Sequence, residues 1–156
     1  MNPNMDTDYW MGIVEKIAQA STCRVKIGTI IVHKNIIVGM GYVGSVSSDN
    51  HCEDSSCFMV DNNGLKGSSD SGKSCERTIH AELNAVLKCT VRGNKQDGWL
   101  KAFMTYSPCL NCFKVMLTIG VRNFIYKYRY KDLIRDQYIK QLNIELYNNV
   151  FLTQWS

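Results

Sequence analysis

The sequence predicts a three-layer α/β/α domain in which helices cover both faces of a five-stranded mixed sheet. Two observations carry this prediction. Two adjacent apolar, β-prone segments separated by a polar turn come early, and segments with helix and strand patterns alternate in the second half of the chain. A length of 156 residues with 45% hydrophobic residues suits one globular domain, so we expect residues 1–156 to fold as a unit without internal repeats.

The first predicted element is an amphipathic helix. Apolar residues recur at helical spacing along residues 10–18, and the polar side chains of residues 6–8 are suited to cap the helix N-terminus. Two strands are predicted at residues 25–32 and 36–43, because both segments are β-prone and polar residues 33–35 separate them. We therefore expect the sheet to contain an antiparallel hairpin.

A second helix is predicted from Thr78 to a stop at Gly93. The side chains expected to form its buried stripe are Ile79, Leu83, Val86 and Leu87. The remaining elements are predicted to alternate as strand 100–105, helix 109–119, strand 121–126, helix 131–142 and strand 144–147. Together with the hairpin, these segments supply the five strands of the sheet.

Residues 44–75 differ in composition from the rest of the chain, because Ser, Asp, Asn and Gly dominate them. Loops of this length without secondary structure are uncommon in a compact domain, where they are functional, disordered or anchored. The segment contains Cys52 and Cys57 and ends at Cys75. We therefore interpret it as a long cysteine-containing insert between the hairpin and the second helix, and not as a second domain.

Seven cysteines are the unusual feature of the composition. No apolar segment of a secretory signal follows the N-terminus, and no uncharged stretch is long enough to span a membrane. We therefore expect no membrane partner and a cytoplasmic location, which would be the host cytoplasm for a viral protein. In a reducing compartment, thiols more often bind metal or react as thiolates than form disulfides.

The net charge of +4, from 18 Lys and Arg against 14 Asp and Glu, is small. It suits an anionic small molecule and is weak evidence for nucleic acid. The most basic stretch, residues 122–135, is interleaved with tyrosines and contains Asp132. We interpret it as a strand and a helix with a solvated basic face, so binding of nucleic acid is not expected.

Two thiols lie at the start of the predicted helix 109–119. Pro108 is unfavourable inside a helix but favourable at its beginning, so Cys109 falls in the first turn and Cys112 lies on the same face. The positive end of the helix dipole and the unpaired backbone N–H groups favour thiolates at this place. Two thiolates at this spacing form half of a zinc site.

His80 and Glu82 supply complementary groups. His80 can give a third ligand, which leaves a fourth position open, as in catalytic and not structural zinc sites. Glu82 lies two residues further on and points away from His80 on a regular helix, so it suits a general acid and base better than a ligand. A Cys-x-x-Cys pair alone could equally be a structural half-site, a redox pair or two buried thiols, but these alternatives leave His80 and Glu82 unexplained.

Together, the His-x-Glu and Pro-Cys-x-x-Cys motifs resemble the zinc-dependent cytidine and deoxycytidylate deaminases. The resemblance covers residues 21–130 and is closest to the deoxycytidylate (dCMP) deaminase branch, while the insert resembles bacterial and phage members of the late-competence type. It implies a cytidine-deaminase-like fold and the hydrolysis of dCMP to dUMP and ammonia, which supplies thymidylate synthesis. It also implies a homo-oligomer, with a hexamer favoured, and dCTP and dTTP as effectors.

The resemblance assigns roles to the residues of the two motifs. It implies that His80, Cys109 and Cys112 hold the catalytic zinc ion. It implies that Glu82 carries a proton from the attacking water to ring N3 and then to the leaving amino group. It also implies that the backbone of Ala81 and the region around Ser107 hold the polar edge of the pyrimidine.

Substrate recognition is implied for four positions of this chain. Ala81 and Ser107 would contact the pyrimidine, and Lys26 occupies a basic position suited to a 5′-phosphate, although a solvated lysine is the alternative. Val43 stands where the family usually has an Asn that contacts the sugar, and valine offers no hydrogen bond. The sugar is therefore read by another residue, or the substrate differs from dCMP.

A second, structural zinc ion is present in some viral dCMP deaminases, and the resemblance extends this possibility to the remaining thiols. The candidate ligands are Cys23, Cys52, Cys57 and Cys75, with His51 as a substitute. The alternative is that some of these thiols are small buried hydrophobic residues. Cys89 is expected in the core. Two zinc ions per chain would support the second site, and one would remove it.

Two classes of function compete with dCMP deamination. A zinc deaminase could act on dCTP, on a cytidine nucleoside or on a base in tRNA, and the last of these needs a larger basic surface with stacking aromatic residues. A catalytically lapsed zinc module could serve binding alone. The intact set of His80, Glu82, Cys109 and Cys112 argues against a lapsed module, and Val43 is its only support.

Overall fold

The computed structural model describes residues 3–61, 63, 66–67, 73–145 and 150–156. The helices in this part of the chain are α1 Pro3–Ala18, α2 Ala81–Leu87, α3 Leu110–Thr118 and α4 Leu133–Glu145. The strands of the central sheet are β1 Gly28–His33, β2 Ile36–Tyr42, β3 Leu100–Tyr106, β4 Val121–Tyr128 and β5 Phe151–Gln154. None of the helices described is long and apolar enough to cross a membrane.

The central sheet has the order β5-β4-β3-β1-β2. Strand β1 pairs antiparallel with β2 and β3, with Thr29 opposite Gly41 and Met104, whereas β3, β4 and β5 run parallel. Parallel strands need long crossover connections, and α3 and α4 provide them. The predicted fold class, a five-stranded mixed sheet between helices, is confirmed. The assignment of residues 1–156 to one domain stays a prediction.

Helices cover both faces of the sheet because strand β1 is apolar on both sides. Helix α1 packs on one face, where Met11 and Val14 join a buried cluster with Ile30 and Phe103. Helices α2, α3 and α4 pack on the other face, over a larger cluster. The buried residues that define this larger cluster include Ile31, Ala85, Met104, Phe113, Met116 and Phe124. The two clusters produce the three predicted layers.

The two ends of the chain differ from the prediction. Helix α1 begins at Pro3, so residues 6–8 lie inside the helix and do not precede it; proline is favourable in a first turn. The strand expected at 144–147 is wrong, because α4 continues to Glu145, and residues 146–147 lie outside the described residues. The fifth strand is Phe151–Gln154, which pairs parallel with β4. A four-residue apolar pattern cannot distinguish a helix end from a short strand.

Helix α2 is shorter than predicted and buries smaller side chains. It begins at Ala81 and not at Thr78, because Thr78–Ile79 pairs with Gly44–Ser45 in a two-stranded ladder. Leu87 is 77% exposed, so its place in the predicted stripe is wrong. The reason lies in β2, where a Cβ on Gly41 would lie 2.5 Å from the carbonyl oxygen of Ala81. The helix backbone therefore rests directly on the strand, which leaves room only for small residues.

The insert of residues 44–75 contains paired backbone and is not structureless. Met59–Asp61 pairs antiparallel with Lys73–Cys75, with Met59 opposite Cys75. A second short ladder joins Lys66–Gly67 to Lys131–Asp132. The described part of the insert is therefore tied to the body of the protein at several places.

Candidate metal centre and adjoining cleft

Two helix starts bring His80, Cys109 and Cys112 together. His80 is the N-cap residue of α2, Cys109 is the N-cap residue of α3, and Cys112 lies in the first turn of α3. The Nδ1 atom of His80 lies 3.7 Å from the Sγ atom of Cys109 and 3.4 Å from that of Cys112. All three potential ligand atoms lie within 4.8 Å of one another. The predicted juxtaposition is therefore present.

The spacing of these atoms fits a zinc ion. Zinc bonds of about 2.3 Å to sulfur and about 2.0 Å to nitrogen give a sulfur–nitrogen separation of about 3.5 Å in a tetrahedron. The two separations of 3.7 and 3.4 Å at His80 lie close to this value. Neither N-cap side chain makes a capping hydrogen bond, so both remain available for a metal.

Without metal, the three groups share their protons unequally. A hydrogen bond with Cys112 lowers the pKa of the Cys109 thiol to about 4, and the same contact raises the pKa of Cys112. A hydrogen bond with Cys109 raises the pKa of His80 to about 9, against the opposing effect of burial. At neutral pH the metal-free site therefore contains a thiolate, an imidazolium and a thiol, and a metal ion would replace two protons.

Glu82 is a buried carboxylate beside this cluster. Its side chain is 5% exposed and lines the same cleft as His80 and Cys109. Burial raises the pKa of Glu82 to about 7, although the charge of His80 opposes this shift. A carboxyl group with this pKa exchanges protons readily at neutral pH. The structure therefore places a suitable acid and base next to the candidate metal ligands.

The cleft is lined by aromatic and apolar side chains and by a few polar groups. Tyr106 and Tyr130 line it together with Ser107 and Val43. Ser107 and Val43 are both buried, and the backbone N–H of Tyr130 donates a 2.8 Å hydrogen bond to the Ser107 hydroxyl oxygen. Ala81 is fully buried and packs with Val43 in a small apolar cluster. Their predicted roles in substrate binding stay predictions.

The cations near the cleft are not the predicted one. Lys26 donates to the Ser21 carbonyl oxygen at 2.5 Å and to Glu53 at 2.8 Å, and it is not among the described residues that line the cleft. Arg24 and Lys73 do line the cleft. Lys73 lies in the insert, where no sequence pattern marks a binding residue. Arg24 lies two positions before Lys26, and the sequence alone does not indicate which of the two basic residues reaches the cleft.

Four of the five remaining thiols form a second cluster. The four sulfur atoms all lie within 4.8 Å of one another and belong to Cys23, Cys52, Cys57 and Cys75. The Sγ atoms of Cys52 and Cys75 are 3.7 Å apart, close to the separation of about 3.8 Å expected for two thiolates on a tetrahedral zinc ion. His51 is not part of the cluster, because its Nδ1 atom makes a 3.0 Å hydrogen bond with Thr22. The donor set therefore fits a metal ion that is ligated by sulfur alone.

A buried arginine and a buried aspartate clamp the turn that leads into α3. The Nη1 atom of Arg135 donates to the Ser107 hydroxyl at 3.1 Å and to the Pro108 carbonyl at 2.6 Å. The carboxylate of Asp132 accepts hydrogen bonds from the backbone N–H groups of Leu110 at 2.8 Å and Arg135 at 3.0 Å. One carboxylate thus caps the starts of two helices. The motifs did not reveal this clamp, since its members lie far from them in sequence.

Comparison with known proteins agrees with the chemistry of these donors. The cytidine and deoxycytidylate deaminase zinc-binding region matches residues 5–128. The chain is 35% identical over 124 residues to ComE operon protein 2 of Bacillus subtilis, and this match covers 79% of the chain but 59% of that protein. It is 30% identical over 128 residues to the deoxycytidylate deaminase of Mycobacterium phage D29, with 80% of the chain and 94% of that protein covered.

A solved structure shares the fold. The dCMP deaminase from the cyanophage S-TIM5, determined in complex with dCMP and dUMP, matches with a TM-score of 0.71 at 24% sequence identity. The match covers 99% of both chains. This similarity extends over the sheet and its helices, so the described architecture is that of a known family of folds.

Proposed function

The chain belongs to the cytidine and deoxycytidylate deaminase zinc-binding family, and we propose that it hydrolyses dCMP to dUMP and ammonia. The observation that carries the proposal is the buried carboxylate of Glu82 beside the cluster of His80, Cys109 and Cys112. A carboxylate next to an open three-ligand set suits the attack of water on C4 of cytosine. The product dUMP would supply thymidylate synthesis.

We assign the catalytic metal to His80, Cys109 and Cys112, whose donor atoms fit zinc. A zinc ion bound there supplies a Lewis acid that lowers the pKa of water. The two helix starts hold the sulfur and nitrogen donors on one side, which leaves the side facing the cleft open to water and substrate. This arrangement supports a catalytic and not a purely structural site.

We assign the proton transfers to Glu82. Its buried carboxylate takes a proton from the attacking water and delivers it to ring N3. It then takes the proton of the hydroxyl group added at C4 and gives it to the leaving amino group, so that ammonia departs and the carboxylate ends the cycle unchanged. The pKa of Glu82, raised to about 7 by burial, supports both uptake and release of the proton at neutral pH. Burial also keeps bulk water from competing for the proton.

We assign the 5′-phosphate to Arg24 and Lys73, in place of Lys26. Both residues line the cleft, and neither has a carboxylate partner among the described ion pairs, whereas Lys26 is already paired with Glu53. Val43 lines the same cleft without a hydrogen-bonding group. Recognition of the nucleotide would therefore depend on contacts to its phosphate and to its base. Val43 would contribute little to binding of the sugar.

A substrate panel with a matched pair of variants tests the proposal. Purified protein is incubated with dCMP, deoxycytidine, CMP and dCTP, and the loss of cytosine absorbance is followed together with metal content. We expect dCMP to be the preferred substrate. Glu82→Gln should lower kcat by about 10²–10⁴-fold while zinc is retained, because the isosteric amide cannot accept the proton. Glu53→Gln, at an exposed position, serves as the control. An active Glu82→Gln protein would contradict the mechanism.

We propose a second zinc ion at the cluster of Cys23, Cys52, Cys57 and Cys75. The sulfur-only donor set and its spacing support a closed structural site. Burial raises the pKa of the Cys52 thiol in the absence of metal, so binding of an ion there would release a thiol proton. Metal analysis of the intact protein should give about two zinc ions per chain. A value of about one would contradict the proposed second site.

Assembly and location follow from the same family relationship. We propose a homo-oligomer, with a hexamer favoured, and exposed apolar side chains on β2 and α2 support it, namely Ile36, Met40 and Leu87. Light scattering should give a mass several times that of one chain. All seven cysteines are unpaired, which supports a reducing cytoplasm. Regulation by dCTP and dTTP stays a prediction, and activity measured with each nucleotide added tests it.

A further inference from the structure

The two cations at the edge of the cleft are sequence neighbours of the second sulfur cluster. Arg24 follows Cys23 directly, and Lys73 lies two residues before Cys75. Cys23 and Cys75 themselves line the cleft, so the sulfur cluster and the cleft share a wall. Any change in the arrangement of the four thiols would therefore reach both cations through one or two peptide units.

Both arms of a short hairpin also end in this cluster. The hairpin pairs Met59–Asp61 with Lys73–Cys75, and Lys73 lies opposite Asp61. One arm ends at Cys75, and the other begins two residues after Cys57. The backbone N–H of Glu76 donates a 2.8 Å hydrogen bond to the Phe58 carbonyl oxygen, which closes the base of the hairpin next to the sulfur atoms. The cluster therefore fixes the hairpin that carries Lys73.

Cys23 connects this hairpin to the segment that carries Arg24. The hydrogen bonds and the ion pair described between that segment and the insert are exposed: Lys26 pairs with Glu53 at 2.8 Å, and Thr22 bonds to His51 at 3.0 Å. Exposed pairs of this kind contribute little to stability. The sulfur cluster, in which Cys23 is 4% exposed, is therefore the principal anchor that sets the distance between Arg24 and Lys73.

We propose that the four-cysteine cluster, when it holds a metal ion, is a positioning site for recognition of the substrate phosphate. It holds together the two cleft-lining segments that carry Arg24 and Lys73, and we expect both cations to contact the same phosphate group. This proposal rests on the proposed function, because it concerns the phosphate of that substrate. A metal ion that only stabilised the fold would affect nucleosides and nucleotides alike, whereas a positioning site affects only substrates that carry a phosphate.

The test removes one ligand that does not line the cleft. Cys57→Ser should reduce the metal content from about two ions to about one, with the catalytic ion retained. The KM for dCMP should rise about tenfold or more, as expected for the loss of charge-assisted contacts to phosphate. The KM for deoxycytidine should change less than about threefold, and kcat should change little for either. Cys89→Ser, a cysteine outside both clusters, is the matched control.

Binding without turnover provides the second measurement. The equilibrium affinity for dUMP, measured by calorimetry, should fall in Cys57→Ser by the same factor as in a double variant Arg24→Gln with Lys73→Gln. Combining all three substitutions should add nothing further, because residues that act as one unit show non-additive effects. The affinity for deoxyuridine should be unchanged throughout. Additive losses, or equal losses for dUMP and deoxyuridine, would overturn the proposal.

These experiments distinguish failure of the proposed function from failure of the positioning role. If the wild-type protein with its metal converts neither dCMP nor deoxycytidine, the proposed function fails, whatever the cysteine variants do. If the wild type is active and Cys57→Ser keeps its preference for the nucleotide, the positioning role fails alone. If Cys57→Ser does not fold, Cys52→Ser decides, because Cys52 also belongs to the cluster without lining the cleft, and the proposal requires this variant to lose affinity for dUMP and not for deoxyuridine.

Discussion

The contact between β2 and α2 permits a quantitative prediction. Gly41 is buried under the helix, and a Cβ at this position would lie 2.5 Å from the carbonyl oxygen of Ala81 and 2.5 Å from the backbone nitrogen of Ala85. Ordinary contact begins at 3.4 Å. Because both obstructing atoms belong to the backbone, a Gly41→Ala substitution must displace α2 by about 0.9 Å and not merely rotate a side chain.

The displacement acts on the site because α2 carries it. His80 caps the helix and Glu82 lies in its first turn. Misplacement of catalytic groups by about 1 Å costs about a hundredfold in rate. We therefore expect Gly41→Ala to lower kcat by about a hundredfold and to weaken zinc binding. Overpacking should also lower the free energy of unfolding by about 1–3 kcal/mol.

The assay compares Gly41→Ala with Gly12→Ala. Gly12 lies in α1, and a Cβ there meets nothing within 4 Å. Alanine is the better helix former, so Gly12→Ala should raise the free energy of unfolding by about 0.5–1 kcal/mol with kcat unchanged. Each variant is measured for kcat, for zinc affinity by competition with a chelator, and for urea unfolding. A Gly41→Ala protein with kcat within threefold of the wild type would refute this account of how α2 is positioned.

Three further predictions concern the metal, the clamp and the C-terminal strand. The pKa of His80 is raised to about 9 and that of Cys112 is also raised in the metal-free site, so zinc binding at pH 7 should release about two protons, measurable in weakly buffered solution. Its affinity for zinc should therefore rise steeply as the pH increases from 6 toward 9. Arg135→Lys should lower the free energy of unfolding by about 2–3 kcal/mol and speed zinc release to a chelator, because lysine cannot reproduce the fork of hydrogen bonds. Trp155→Phe should lower the free energy of unfolding by about 1–2 kcal/mol, because the 2.8 Å bond from its Nε1 to Asp8 is lost.

Each of these predictions has an outcome that contradicts it. Release of only about one proton would mean that His80 is already neutral in the metal-free protein. For the clamp, Arg129→Lys is the control, since that exposed side chain makes a single 2.8 Å bond to Asp136 and should cost less than about 0.5 kcal/mol. If Arg135→Lys and Arg129→Lys lowered the free energy of unfolding equally, the stabilising role assigned to Arg135 would be contradicted. An unchanged Trp155→Phe protein would show that the C-terminal strand is not tied to α1.

Local patterns predicted the parts of the molecule that depend on local physics. The strands of the hairpin and the start of α3 depend on β-prone runs and on the fixed φ of Pro108, so the sequence indicates them directly. The donor set of Cys109, Cys112 and His80 was also predictable, because helix starts favour thiolates and because the chemistry of the three groups is complementary.

Long-range packing determined what the patterns could not predict. Leu87 fits the predicted apolar stripe of α2. However, α2 packs closely on Gly41 through another side, and Leu87 is exposed. The position of the fifth strand depends on pairing with β4 and not on its own short apolar run. Arg24 and Lys73 enter the cleft because the second sulfur cluster brings together segments that lie about 50 residues apart, and no local pattern encodes that distance.

The clamp on α3 has a consequence for the synthesis of the chain. A nascent chain that ends at residue 120 already contains all seven cysteines and His80, yet it lacks both Asp132 and Arg135. Its Pro108 carbonyl therefore lacks the hydrogen bond from Arg135, and its Leu110 N–H group lacks the carboxylate of Asp132. Because chains emerge from the ribosome N-terminus first, the thiols are present before the turn that aligns Cys109 is locked. The turn that aligns Cys109 with the other candidate ligands is therefore hydrogen-bonded by Asp132 and Arg135 only after the chain has been extended to residue 135.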